Sequence, residues 1–492
     1  MAISNSILHE VRLFEEKGKT DVNKYLKPSF HITAPIGWIN DPNGFSLYKD
    51  EYHLFFQYHP FDIQWGPMHW GHMKTKDFIT WQHLPIALAP DQSYDKAGCF
   101  SGTAIEDGGK HILMYTGTAE EIQPDQSTII KQMQCIAIGN GLDYCKLDNN
   151  PVIDETLLPD GCSMEDFRDP KIWKEEEAFY ALIANRSEDG SGQLILYQSL
   201  NLKEWKMCSI LIKNNNEYGK MWECPDFFKL DDKYVIIVSP QEMQAKEYEI
   251  HNGNGSLYFI GDYDKNEYSF KRELTGVLDY GLDYYAPQTV ETKDGRRVVI
   301  AWMQTWDNNI NPNYFSWSGM MTLPREITIL DGKIYQKPIK EIENYRHNPK
   351  QYSNYELSGQ LSLPEISGRE IDMEFEVISG NYQSVEIRLA ANNEFHTSII
   401  YNNTTNILTF DRKYSGLRKD VVCERQIKIG YENLKLRIIV DKYSAEVFVN
   451  DGEKVLSSLI YTTLEAQNIV FLVEGTIMVN INKYDIIVEQ DD

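Results

Sequence analysis

Three carboxylates in three distant stretches carry the chemistry of this 492-residue chain. Asp41 lies in Trp38-Ile39-Asn40-Asp41-Pro42-Asn43-Gly44, Asp169 in Phe167-Arg168-Asp169-Pro170, and Glu223 in Met221-Trp222-Glu223-Cys224-Pro225-Asp226. Three acids around one pocket, with no metal motif beside them, suit glycoside hydrolysis. A retaining enzyme of that kind uses one carboxylate as nucleophile and one carboxylic acid as proton donor, about 5 Å apart. The nucleophile must stay ionised, and Asn40, the turn amides after Asp41 and the Ser101 hydroxyl are candidate donors to it. The donor must stay protonated near neutral pH, which the apolar surroundings of Glu223 favour. Arg168 sits next to Asp169, so Asp169 is expected to remain ionised and to hold sugar hydroxyls rather than move protons. The blander reading is that Asp41 only caps a turn, because Asn-Asp-Pro-Asn-Gly is dense turn chemistry.

These residues need a scaffold that brings them together, and a repeat supplies one. From Pro28 to about Leu330 the chain reads as short strands broken by Gly, Pro, Asn and Asp. Five segments, with a period of about sixty residues, share one plan of strand, acidic or Gly turn, and strand. Their second strands are Tyr52–Phe56, His111–Tyr115, Ala178–Leu182, Tyr234–Val238 and Arg297–Trp302. Asp77-Phe78-Ile79-Thr80-Trp81 also resembles Asn201-Leu202-Lys203-Glu204-Trp205. Such a repeat predicts a five-bladed β-propeller, with a large sandwich of unrelated hairpins as the alternative. At equivalent positions upstream of each second strand stand Asp41, Ser101, Asp169, Glu223 and Tyr285. In a propeller the first strand of every blade lines one central channel, so these five side chains should meet at one depth. Like charges gathered this way repel and desolvate one another, which marks the cluster as functional.

The remaining sequence bounds the answer. Helical spacing from Ser4 to about Tyr25 predicts a helical segment over residues 1–27, ahead of an all-β propeller over 28–330. Residues 331–350 read as a linker. Alternating strands and the Asn450-Asp451-Gly452 hairpin turn predict a C-terminal β-sandwich over 351–492. A net charge of −25 argues against nucleic acid or an anionic membrane as partner. Residues 1–17 lack a basic region followed by an apolar core, and no long apolar run suggests a membrane span. Seven scattered cysteines without Cys-x-x-Cys spacing fit free thiols and a cytoplasmic setting. His69 and His72 lack a third ligand at a known spacing and read as structural, so no metal is expected. Trp65 is expected in the pocket, and Trp70 and Trp81 in the core.

The three acid-bearing motifs resemble the signatures of glycoside hydrolase family 32. Further matches are Gln57, Trp65-Gly66-Pro67-Met68-His69-Trp70-Gly71-His72, Phe100-Ser101-Gly102, Tyr284-Tyr285-Ala286-Pro287-Gln288-Thr289, Pro324-Arg325-Glu326 and Glu446–Gly452. The resemblance covers nearly the whole chain. It implies a five-bladed propeller with a β-sandwich, retaining hydrolysis of β-fructofuranosides, and no cofactor. It implies Asp41 as nucleophile, Glu223 as acid/base and Asp169 as transition-state stabiliser. Trp38, Asn40, Gln57, Trp65, Phe100, Ser101, Arg168, Tyr285 and Trp302 would bind substrate, and Cys224 would set the environment of Glu223. Tyr284 competes with Tyr285 for the pocket. The expected partner is a small sugar: sucrose or sucrose-6-phosphate, with short fructooligosaccharides as the alternative. A non-catalytic carbohydrate-binding propeller is the rival of another class. The sandwich leaves a homo-oligomer open.

Overall fold

In the computed structural model, which describes residues 7–308, 310–416, 421–430 and 433–489, five antiparallel sheets follow one another along the chain. Their innermost strands are Gly37–Tyr48, Gly98–Asp107, Cys162–Glu175, Trp222–Leu230 and Tyr285–Glu291. Each pairs with the apolar second strand that the repeat located. The ring closes through Trp317–Ser318, which pairs in parallel with Gly37–Trp38 of blade one. The repeated Asp77 and Asn201 fragments are the same turn twice. Phe78 and Leu202 both adopt positive φ, at 63° and 66°. In each, the following tryptophan donates from Nε1 to that residue's carbonyl at 3.1 Å.

Ahead of the propeller, a helix over Ile7–Gly18 is followed by two 3₁₀ turns, with Val11 and Glu15 buried. Ser4 to Ser6 of the expected helix lie outside the described residues. Residues 331–350 are not a linker. Lys333–Pro338 is the fourth strand of blade five, Lys340–Tyr345 is a 3₁₀ turn, and Arg346–Leu361 is already a strand of the second domain. Alternation marks the first of these as a strand: Ile334, Gln336 and Pro338 are buried, while Lys333 and Lys337 are exposed.

In the C-terminal domain the long strands Ile371–Ala391 and Asn468–Ile486 pair along most of their length. The first half of Ile371–Ala391 also pairs with Lys435–Asp441 and its second half with Thr397–Asn402, so one bent strand serves both layers. Phe375, Ile387, Leu436, Val447 and Phe471 fill the space between them.

Buried charges join the two domains. Arg325, wholly buried, donates to Glu446 Oε2 at 3.0 Å and to Asp279 Oδ2 at 2.8 Å. Gly281 packs so close to Ser457 that an added Cβ would lie 2.1 Å from its carbonyl oxygen. His31 bridges Asp441 Oδ2 at 2.9 Å and Glu446 Oε1 at 2.8 Å, with all three side chains buried. Burial alone would lower the His31 pKa, but the two carboxylates outweigh it and push it up to about 9. Because the folded pKa exceeds the ordinary 6.5, this contribution is full below pH 6.5 and lost as pH rises through about 9. The shift corresponds to about 3 kcal/mol. Thermal unfolding of the full chain should therefore show an alkaline fall in Tm between those limits, and His31→Gln should be less stable and lose most of that fall. An unchanged alkaline profile in His31→Gln would place the effect elsewhere.

Candidate active site

All five innermost strands break register where the site residues stand. The breaks fall at Ile39/Pro42, Phe100/Gly102, Arg168/Lys171, Glu223/Asp226 and Tyr285/Gln288. A bulge bends the strand and re-aims a side chain, which is how five equivalent residues turn toward one axis. Asp169, Cys224 and Ala286 take positive φ there, at 62°, 48° and 52°. Asn-Asp-Pro-Asn-Gly is therefore not a hairpin turn but the bulged part of a strand. Pro42 lacks a donor and is tolerated at such a break. Gly44, φ 53°, supplies a second one. Asn43 donates to the Asp41 carbonyl at 3.0 Å and accepts from Gly102 N of blade two at 2.9 Å, tying the two blades together.

The five side chains gather in two hydrogen-bonded sets, one around Asp41 and Asp169 and one around Glu223. Ser101 Oγ donates to Asp41 Oδ2 at 2.7 Å, and Cys224 Sγ lies 3.4 Å from the same oxygen. Asp41 Oδ1 is buried and has no hydrogen-bond partner. Cys224 N donates to Asp169 Oδ2 at 2.9 Å, and its thiol lies 3.6 Å from that oxygen. Thr116 Oγ1 of blade two accepts from Asp169 N at 2.9 Å. Tyr285 OH donates to Glu223 Oε2 at 2.6 Å and to Ser239 O at 3.0 Å. Of the two adjacent tyrosines, Tyr285 is the one hydrogen-bonded to Glu223. Tyr284 lies instead beneath the Arg325 guanidinium, 5.1 Å from ring to cation.

Arg168 does not serve Asp169 as expected. Its Nη2 and Nε donate to Glu223 Oε1 at 3.0 and 3.2 Å, and Nη1 to Asp166 Oδ1 at 2.6 Å. Asp169 Oδ2 stands 3.9 Å from Nε, beyond a hydrogen bond. A long side chain can reach a partner on the next blade, and the adjacency of Arg168 to Asp169 in sequence does not decide which acid it takes. Burial first, then the charges of Glu223 and Asp41, push Asp169 up to about 7 against the pull of Arg168. Burial and the Glu223 charge raise Asp41 as well, opposed by the Ser101, Asn40 and Cys224 side chains. Burial and mutual repulsion thus favour the protonated forms of Asp41 and Asp169 more than in free carboxyls.

A cavity of about 950 Å³ opens above the cluster. Asn40, Asp41, Gln57, Trp65, Phe100 and Ser101 line it from blades one and two, and Arg168, Asp169 and Glu223 from blades three and four. Trp65, 49% exposed, meets Phe100 edge-on at 6.0 Å. Four expected substrate contacts, Trp38, Cys224, Tyr285 and Trp302, do not line it. They form a buried apolar layer behind the wall with Ala286, and Met68 carries that layer to the cavity surface. Trp38 Nε1 donates to Asn40 Oδ1 at 2.8 Å, so it orients a wall residue. Trp306, which no sequence motif marks, covers this layer. It stacks on Trp38 at 6.4 Å, meets Trp302 at 4.9 Å and lines the cavity, 41% exposed. Asp166 and Gln132 also escape a reading by motif. Asp166 lies two residues before Arg168 and shares its strand face, a signal that the period of two does contain. Among the described residues no group of three or more His, Cys, Asp or Glu is arranged to hold a metal ion. His72 instead pairs with His53 at 2.9 Å.

Comparisons with known proteins agree with this geometry. The family model described as "Glycosyl hydrolases family 32 N-terminal domain" matches residues 31–338, and "Glycosyl hydrolases family 32 C terminal" matches 341–486. The chain is 36% identical over 459 residues to a sucrose-6-phosphate hydrolase of Escherichia coli, covering 93% of each. It is 35% identical over 444 residues to a raffinose invertase of Escherichia coli, covering 90% of this chain and 91% of the relative. Among solved structures, a Bombyx mori GH32 beta-fructofuranosidase mutant in complex with sucrose superposes with a TM-score of 0.84 at 31% identity, covering 97% of both chains. The chain belongs to glycosyl hydrolases family 32 and is a glycosidase of the propeller-and-sandwich kind.

Proposed function

We propose that the protein hydrolyses β-fructofuranosides with retention, through a fructosyl ester on Asp41, and that sucrose or sucrose-6-phosphate is its substrate. The observation that carries this reading is the cluster of Asp41, Asp169 and Glu223 on three bulged strands at the floor of one cavity. Asp41 Oδ2 is held by Ser101 and Cys224, which leaves Oδ1 to bond the anomeric carbon. Glu223, positioned by Tyr285 and Arg168, gives its proton to the departing oxygen and later takes one from the attacking water. Fructosyl hydroxyls donating to Asp169 favour its ionised form. Seven free thiols support placement in a reducing compartment such as the cytoplasm.

Among the described residues two cations line the cavity, Arg168 and Lys96. Arg168 is committed to Glu223 and Asp166, whereas Lys96 is exposed and has no ion-pair partner among them. Lys96 is therefore the group to meet a sugar phosphate. Lys96→Ala should raise KM for sucrose-6-phosphate about tenfold, the loss of one charge-assisted contact, and leave KM for sucrose nearly unchanged. Equal effects on both substrates would remove Lys96 from phosphate recognition.

A second reading, short fructooligosaccharides, rests on the blade-two hairpin. Its strands Lys110–Ile122 and Thr128–Gly139 bring Ile122, 76% exposed, and Ile130 to the cavity, where they offer an apolar surface to a further sugar ring. Initial rates on sucrose, sucrose-6-phosphate, kestose and inulin separate the two. A kcat/KM for kestose above both sucrose forms would favour the second, and no turnover of any of the four would overturn the proposal.

A further inference from the structure

A chain of alternating charge runs from the protein surface to the carboxylate cluster. Arg186, on the second strand of blade three with its side chain 43% exposed, places Nη2 2.6 Å from Asp166 Oδ2. Asp166 Oδ1 accepts from Arg168 Nη1 at 2.6 Å, and Arg168 turns its other two nitrogens to Glu223. The middle of the chain is rigidly held. Asp166 N donates to Ser163 Oγ at 3.1 Å, and Asn185 Nδ2 donates to the Asp166 carbonyl at 2.8 Å. Gln132 Oε1, from blade two, accepts from both Arg168 Nη1 and Phe167 N, at 3.2 and 3.1 Å.

We infer that Asp166 and Arg186 are positioning residues that set, through Arg168, the pH range over which the active-site carboxylates keep their catalytic proton. The inference rests on the reading of Glu223 as proton donor. Asp166 engages one guanidinium nitrogen and limits how far Arg168 can neutralise Glu223. Its own negative charge also makes the cluster harder to ionise. Arg186 partly cancels that charge from the outer side. The other groups that face Glu223 stay in place in either variant. They are Asp41 from blade one, Asp169 from blade three, Tyr285 from blade five and the Cys224 thiol on its own strand. Their proton is shared, so the basic limb of the pH profile belongs to the cluster rather than to one carboxyl. The sign is the same whichever acid holds it. Removing a negative neighbour lowers the limb, and removing a positive one raises it.

The test is the pH dependence of kcat/KM on sucrose, which reports ionisations of the free enzyme. Asp166→Asn should move the basic limb down by about one pH unit, less than a bare unit charge several ångströms away would give at an effective dielectric constant of about 20, because Arg168 and Arg186 neutralise part of it. Arg186→Gln should move it up by a smaller amount, about half a unit, because that side chain is partly solvated and screened. Since Arg186 is at the surface, its variant should fold normally and keep its plateau rate. Limbs that stay in place while rates fall uniformly, or that move in the same direction in both variants, would overturn the inference. An activated aryl fructoside, whose leaving group needs no proton, separates this outcome from failure of the underlying reading. If the wild-type basic limb persists on that substrate, Glu223 is not the donor. If it vanishes but neither variant shifts the limb on sucrose, only the role of Asp166 and Arg186 is wrong.

Discussion

Asp41→Asn should lower kcat on sucrose by at least about ten-thousandfold, the scale on which removing a covalent nucleophile acts. The amide can accept the Ser101 hydrogen bond that now reaches Oδ2, so the shape of the site is kept. What disappears is the ability to form a fructosyl ester. The substitution also removes one of three mutually repelling acids, and burial and Glu223 hold the Asp41 pKa above its ordinary value. Thermal stability should therefore equal or exceed that of the unsubstituted protein, as expected where function is maintained at the expense of stability. A fall in activity that tracks a fall in Tm would mean that Asp41 is a structural residue. Substantial turnover with an intact fold would mean that another group attacks the sugar.

The second large effect concerns Asp169. Asp169→Asn retains an acceptor for Cys224 N, which now reaches Oδ2 at 2.9 Å. It removes the negative charge that faces the fructosyl ring as positive charge develops there. Interactions stronger in the transition state than in the ground state appear in kcat, so kcat should fall at least about a hundredfold with a smaller change in KM. Both formation and hydrolysis of the ester should slow, and added azide should not restore the rate. Glu223→Ala provides the contrast. Azide needs no general base, so on an activated fructoside that variant should be rescued and should release fructosyl azide. A large rise in KM with kcat unchanged would reduce Asp169 to ground-state binding, and azide rescue of Asp169→Asn would make it a proton-transfer group.

The propeller, its five blades and the five residues that meet at its axis are legible in the sequence because the chain repeats. Each blade places the same position of its first strand toward the centre, so the repeat by itself aligns Asp41, Ser101, Asp169, Glu223 and Tyr285. Side-chain direction is not legible at that level. Arg168 spans to Glu223 instead of its neighbour Asp169, a choice made by inter-blade geometry. Trp302 turns into the layer behind the wall while Trp306, four residues on, faces the cavity. The bulges explain part of this. A break in register re-aims every residue near it, and turn-forming residues such as Asn40 to Gly44 serve a bulged strand as well as they serve a hairpin. The outer strand Lys333–Pro338 reads as a linker because an edge strand carries exposed lysines, which look like loop in a sequence.

Double displacement through Asp41 dictates which anomer is formed first. Free fructose mutarotates, but a methyl fructoside does not. In aqueous methanol the ester should partition between water and methanol, and the methyl glycoside records which face was attacked. Two successive inversions predict methyl β-fructofuranoside, identified by NMR of the products formed from sucrose. Methyl α-fructofuranoside would show a single inversion and contradict an ester on Asp41.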